Sequence, residues 1–240
     1  MNLPVGEHMP TIDQAIADLR KGKFVLIFDD DNREGETDLI MSSEFIEPHS
    51  IRTMRKDGGG LIFLMTSHEI AEKLQLPYLA DLYTDIEGKY PVLKELTAND
   101  IPYDTKSSFS LYINHRNTFT GITDIDRSLT MKQFAELSKA ISTIDNGQAT
   151  KLFGTQFRSP GHIPICVAAK QLLNERKGHT ELAVSLLKMA KLLPVGSGCE
   201  IMGDNGKALP KDRVQQYAKK HNLIFLKGKE ILEAWKTWPE

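Results

Sequence analysis

Phe24-Val25-Leu26-Ile27-Phe28-Asp29-Asp30-Asp31-Asn32-Arg33-Glu34-Gly35-Glu36-Thr37-Asp38 is the stretch that sets the frame for the rest of the chain. Phe24 to Phe28 form an unbroken apolar run bounded by charge, as a strand buried on both faces does. The ten residues that follow hold six carboxylates and one guanidinium. Such a cluster repels itself unless cations occupy it. Solvated acidic loops share this composition, but the end of a buried strand is where α/β proteins commonly place ligands, and oxygen-rich loops suit hard divalent cations. A calcium EF-hand is excluded, because the twelfth position counted from Asp30 is Met41 instead of glutamate and the preceding element is a strand. Magnesium or manganese, held by few protein ligands and several waters, fits better.

Working outward, Ile12, Ala15, Ile16 and Leu19 recur at helical spacing between Pro10-Thr11, a start signal, and Gly22, a stop signal. Residues 48–56 predict a short helix broken by Gly58-Gly59-Gly60, and residues 61–65 a further apolar strand. Residues 77–105 show no clean period. Phe109, Leu111 and Ile113 alternate with Ser110, Tyr112 and Asn114 as in a half-exposed strand. Met131, Phe134, Ala135, Ser138 and Ile141 mark a helix ending before Asp145-Asn146-Gly147, where a turn is expected. The last third alternates a helix (180–192), a strand (198–202), a helix (210–221), a strand (223–226) and a closing helix from Gly228. The expected class is α/β in its mixed α+β form, a layered sheet-and-helix domain over residues 1–240 without repeats or a linker.

Composition narrows the function. A chain of 240 residues with 40% hydrophobic and 26% charged residues buries roughly 70 to 75% of its unfolded surface and needs no staple. Thirty Lys plus Arg against 32 Asp plus Glu give a net charge of −2, without the basic excess of a phosphate-backbone binder, so nucleic acid is not an expected partner. Cys166 and Cys199 lack the spacing of a disulfide framework or zinc site. The N-terminus has no basic region leading into an apolar stretch, and no run of about 18 apolar residues occurs. The expected compartment is the cytoplasm.

Arg176-Lys177-Gly178-His179-Thr180-Glu181 precedes a helix with an apolar stripe, and Thr180 is the expected N-cap. Two cations, a glycine and a helix N-terminus make an anion cradle suited to phosphate. His162 lies in Phe157-Arg158-Ser159-Pro160-Gly161-His162. Glu200 interrupts an apolar segment, where a buried carboxylate must be paired or have a raised pKa, and either suits proton transfer. Gly196 to Ile201 lacks the last glycine of the dinucleotide fingerprint, and Walker, HExxH and GxSxG patterns are absent.

Taken in order, Asp29 to Asp38, Thr118-Phe119-Thr120-Gly121-Ile122-Thr123-Asp124-Ile125-Asp126-Arg127, Phe157 to His162, Gly178 to Glu181, and Cys199-Glu200-Ile201-Met202 resemble the 3,4-dihydroxy-2-butanone 4-phosphate synthase family of riboflavin biosynthesis. The likeness spans nearly the whole chain. Met54-Arg55-Lys56-Asp57-Gly58-Gly59-Gly60 and Phe119 to Asp124 look like the archaeal, monofunctional type. The resemblance implies a lyase that converts D-ribulose 5-phosphate into L-3,4-dihydroxybutan-2-one 4-phosphate and formate, through enolisation, skeletal rearrangement and loss of the original C4. It also implies Mg2+ or Mn2+ dependence, stabilisation of an enediolate by the cation, and a homodimer with sites at its interface. Glu34 and His179 match the family's metal ligands. Arg33, Glu34, Asp38, Arg176, Lys177, Gly178, His179, Thr180 and Glu200 match its sugar-phosphate contacts, and Thr120, Asp126 and Arg127 its loop near the phosphate. His162 and Glu200 match its catalytic positions, while Phe63 stands where relatives often carry a cysteine. Another metal-dependent sugar-phosphate lyase or isomerase would share this chemistry without releasing formate, and a cation or sugar-phosphate sensor would not need His162 and Glu200.

Overall fold

Val25–Phe28 form strand β1, every residue buried, in the computed structural model, which describes residues 12–238. The chain returns through the acidic loop into β2 (Thr37–Ser42), antiparallel to β1 with Phe28 opposite Thr37 and Val25 opposite Ile40. The acidic stretch is thus a hairpin loop, and Asp38 belongs to its second strand. Ahead of β1 lies α1 (Ile12–Leu19); the predicted start signal Pro10-Thr11 falls outside the described residues. After β2 come α2 (Pro48–Thr53), β3 (Gly59–Thr66), α3 (His68–Leu74), α4 (Leu79–Ile86), α5 (Val92–Glu95), β4 (Phe109–His115), α6 (Asp124–Ala140), α7 (Asn146–Gln156) and β5 (Phe157–Val167). The last third supplies α8 (His179–Met189), β6 (Val195–Ile201), α9 (Lys211–His221), β7 (Ile224–Lys227) and α10 (Gly228–Thr237).

The seven strands make one mixed sheet in the order β4-β5-β3-β6-β2-β1-β7, with β1–β7 and β3–β5 parallel and the other pairs antiparallel. Alternation along the strands assigns the helices to its two faces. Ile62 and Leu64 of β3 pack with Ile51, Ile70, Met131, Phe134 and Ala149, from α2, α3, α6 and α7. Phe63 and Met65 point the other way, onto Ala15, Leu19, Leu182, Leu186 and Ile231, from α1, α8 and α10. Val214 and Ala218 of α9 cover Leu26 and Phe28, the residues of β1 opposite to Val25 and Ile27. The fold is the expected mixed α/β type, helices on both faces of a sheet.

Several local expectations are corrected. Asp145 to Gly147 do not make a turn: the Asp145 carboxylate accepts the Gln148 N–H at 3.0 Å and caps α7. Helix α2 is regular only to Thr53; residues 54–58 widen into a π turn, and β3 then starts at Gly59, two residues before the expected strand. Alternation in β4 holds only in part: Ile113 is buried as its pattern requires, but Ser110 is buried too and donates to the Pro77 carbonyl at 2.6 Å, Phe109 and Leu111 are partly exposed, and Asn114 and His115 are buried beside Ile113, where the register with β5 shifts. Helix α8 is capped by Gly178, which places Thr180 inside its first turn.

Candidate active site

The hairpin loop owes its shape to Asp29, whose side chain is fully buried at the end of β1. One carboxylate oxygen accepts the Glu34 N–H at 2.9 Å and the other the Glu36 N–H at 3.1 Å. These bonds fold the loop back so that Glu34, Glu36 and Asp38 face one place. His179, the first residue of α8, is buried there. Its Nδ1 lies 3.4 Å from Glu34 Oε2 and its Nε2 3.8 Å from Asp38 Oδ1. Burial alone lowers an imidazolium pKa, but Asp38, Glu34 and Asp29 outweigh it and push His179 up to about 10. Burial raises Glu34 in turn, yet the hydrogen bond and charge of His179, with Arg176 and Arg33, hold it below its ordinary value. Full burial keeps Asp38 high.

Glu200 joins this group through the sheet, because β6 sets it opposite Asp38 on β2. A bulge in the β3–β6 ladder between Gly59 and Ile62 frees the Leu61 N–H, and Glu200 Oε2 accepts it at 2.7 Å. The carboxylate reaches it by lying across Gly60, where a Cβ would collide with it. Burial raises the Glu200 pKa despite these hydrogen bonds.

On the other side stand two guanidiniums. Arg176 donates from Nη1 to Glu181 Oε2 at 2.6 Å and from Nε to Asp104 Oδ2 at 2.7 Å. Arg33 donates from Nη2 to the same Asp104 oxygen at 3.0 Å. Arg176 folds over Gly178, where any side chain would strike the guanidinium. Glu181 is fully buried and also accepts the N–H groups of Ala169 and Gly178, at 2.9 and 3.2 Å, fixing the start of α8. Lys177 is exposed beside them, and Thr180 is buried in the first turn.

Thr120, Asp126, Arg127 and His162 form a second group, with no hydrogen bond or ion pair to the first among the described residues. Asp126 Oδ2 accepts the N–H groups of Thr120 and Gly121, at 3.2 and 2.8 Å, and so is spent on its own loop. Arg127 pairs with Asp124 at 3.5 Å, which Arg55 also holds at 2.9 Å. Asn114 joins the loop to His162: its Oδ1 accepts the His162 N–H at 2.9 Å, so its Nδ2 faces the ring Nδ1 at 3.1 Å. An amide nitrogen only donates, so Nδ1 accepts and the neutral ring carries its proton on Nε2. His162 is exposed in this chain.

Asp29, Glu34 and His179 each bring one ligand atom within 4.8 Å of the others. Asp38 Oδ1 and His179 Nε2 are buried and have no hydrogen-bond partner among the described residues. Oxygens with one imidazole nitrogen suit a divalent cation of the magnesium or manganese kind. Both cysteines are free and buried, and burial pushes their thiols up to about 12, which removes them as nucleophiles at neutral pH.

A family model described as 3,4-dihydroxy-2-butanone 4-phosphate synthase matches residues 13–234. The chain belongs to this family. It is similar to the 3,4-dihydroxy-2-butanone 4-phosphate synthase of Methanothermobacter thermautotrophicus, with 45% identity over 225 residues, 93% of this chain and 95% of the relative. The crystal structure of the synthase from Candida albicans superposes with a TM-score of 0.71, at 28% identity over 95% of this chain and 98% of its own. A synthase structure in complex with two magnesium ions has the same fold, with a TM-score of 0.72 at 22% identity over 95% and 97% of the two chains. Membership in the 3,4-dihydroxy-2-butanone 4-phosphate synthase family agrees with the resemblance carried by the five sequence stretches.

Sequence reasoning thus named residues that fall into two groups: Arg33, Glu34, Asp38, Arg176 to Thr180 and Glu200 in one, Thr120, Asp126, Arg127 and His162 in the other. It gave no individual role to Asp29 and Glu181, which lie inside the stretches it singled out, and passed over Asp104 and Asn114. A glutamate three residues after the helix cap was a legible signal for Glu181, whereas Asp104 and Asn114 act across more than 40 residues of sequence.

Proposed function

We propose that the chain converts D-ribulose 5-phosphate into L-3,4-dihydroxybutan-2-one 4-phosphate and formate in riboflavin biosynthesis, as a cytoplasmic, Mg2+- or Mn2+-dependent lyase with a single catalytic domain. The observation that carries this reading is His179 set between Glu34 and Asp38 with two guanidiniums alongside, which joins the acidic hairpin to the start of α8. Glu34 and His179 would hold the cation, with Asp29 behind them. A divalent cation held there supplies Lewis-acid stabilisation of the negative charge that develops on adjacent sugar oxygens.

The chain's own groups do the rest. Arg33 and Arg176, with Lys177 and the first turn of α8, hold the phosphate and fix the sugar's direction. Glu200, with its pKa raised and one oxygen not engaged by Leu61, takes and returns protons at the sugar carbons. His162 shares the proton transfers with Glu200, its exposed Nε2 directed outward by the bond from Asn114 to Nδ1. A homodimer brings the two groups together. Phe119 is 95% exposed and Ile122 50% on the loop beside Asn114, and Ile125 68% in the first turn of α6, an apolar surface suited to a second copy of the chain.

Chelation tests the reading. Excess EDTA should abolish turnover of ribulose 5-phosphate while far-UV circular dichroism stays unchanged, and readdition of Mg2+ should restore it. Full activity in EDTA would contradict it.

A further inference from the structure

Arg33 and Arg176 are already occupied by an anion that the chain itself provides. Asp104 lies in the irregular segment between α5 and β4. A single oxygen of its carboxylate takes Arg33 Nη2 at 3.0 Å together with Nε and Nη2 of Arg176, both at 2.7 Å. Its second oxygen accepts the Thr105 N–H at 2.9 Å, which turns the group toward the guanidiniums. The preceding residue repeats the clasp, since the Tyr103 carbonyl accepts Arg33 Nη1 at 3.4 Å and the Tyr103 ring lies 5.9 Å from the same guanidinium. Next along, Lys106 pairs with Asp81 at 2.6 Å and lies 4.3 Å from the centre of the Tyr78 ring. That tether is mostly exposed, so it holds the segment weakly. A cavity of about 560 Å³ opens beside the clasp, lined by Asp104, Arg33, Arg176, Lys177 and Lys229, with Leu232 below. Incoming phosphate therefore meets the guanidiniums from a side that is already open.

We propose that Asp104 is a specificity-determining residue: it occupies the phosphate's place on Arg33 and Arg176, and a ligand gains that place only by displacing it. This rests on the reading of those two arginines as the phosphate end of the site. A phosphate monoester carries nearly two charges and three acceptor oxygens against one charge and one engaged oxygen for Asp104, so it competes well. Uncharged sugars and singly charged carboxylates do not. Asp104 thus raises the threshold for every ligand and separates phosphorylated from unphosphorylated sugars.

The test is the binding of inorganic phosphate to the full chain, followed by calorimetry, in the wild type, Asp104→Asn and Arg176→Ala. Asp104→Asn keeps the shape and removes the competing charge, so phosphate should bind about five- to tenfold more tightly and acetate should become detectable. Unchanged or weaker phosphate binding in that variant overturns the proposal. Arg176→Ala separates the two levels of the argument: if it binds phosphate as the wild type does, the phosphate end itself is wrongly placed. If it loses phosphate while Asp104→Asn gains nothing, only the role of Asp104 falls. Should Asp104→Asn fail to fold, trypsin cleavage after Lys106 in the wild type decides: saturating phosphate should speed it, and no change or protection overturns the proposal.

Discussion

Asp29→Ala should damage the candidate site without touching a substrate contact, because the loop that presents Glu34 is held by this one carboxylate. Two backbone N–H groups lose a charged acceptor, at 2.9 and 3.1 Å, in a place from which water is excluded. Each such bond contributes about 1.5–3 kcal/mol, giving a ceiling of about 6 kcal/mol. Removing the charge also relieves its repulsion of Glu34 and Glu36 but forfeits its attraction to His179 and to Arg33 at 3.9 Å, so these charge effects largely offset and the expected loss is about 3–6 kcal/mol. Urea denaturation at pH 7 should show the midpoint lowered with an unchanged slope. Magnesium titration of the folded variant should show affinity weakened by about tenfold or more, since Glu34 no longer has a fixed position. Asp29→Asn should not rescue either property, because its amide offers one acceptor and sets an NH2 group against the other N–H. A loss below about 0.5 kcal/mol for Asp29→Ala, or full rescue by asparagine, would refute the assignment of the loop's shape to Asp29.

Glu200→Gln keeps volume and removes the ionisable group, so kcat should fall roughly 10² to 10⁴-fold with substrate affinity little changed; near-normal turnover would reassign Glu200 to holding β3 through Leu61. Phe119→Asp should convert a dimer into an inactive monomer by sedimentation velocity, and an active monomer in the wild type would remove the need for a second copy. Burial raises Glu69, but hydrogen bonds from Lys188 and Ser67 outweigh it and leave it at about 2, below its ordinary 4.5. A depressed pKa contributes stability that is present above pH 4.5 and lost as pH falls toward 2. The pair is largely exposed, so Lys188→Ala should cost under about 1 kcal/mol at pH 6 in urea denaturation and less at pH 3; an effect that grows on acidification would contradict the pairing.

Much of this architecture was legible because its signals are local. The apolar run into β1, the helical spacing of Ile12 to Leu19 and the alternation of elements after residue 180 all gave elements close to those observed. Helix α4 does carry the helical signal, Leu79, Leu82, Tyr83 and Ile86 at i, i+3, i+4 and i+7, so the expectation of no clean period over residues 77–105 is wrong there, whereas α5, four residues long and without a buried one, is too short to show a period. Strand β5 was hidden by Pro160 and Gly161, which break the alternation in its first half. Within the candidate site, the hairpin carboxylates and the start of α8 could be singled out by charge and capping chemistry. Their meeting at His179 is a property of the hairpin and the sheet, as are the partnerships of Asp104 with two arginines and of Asn114 with His162, which no spacing rule encodes.

The central claim, that this geometry removes one carbon from a pentulose phosphate, is tested most directly by following a labelled atom. D-Ribulose 5-phosphate carrying 13C at C4, incubated with the purified chain and Mg2+, should yield 13C-formate by NMR in one-to-one ratio with an unlabelled four-carbon phosphate. Retention of the label in a phosphorylated sugar, or consumption of substrate without labelled formate, would contradict the account.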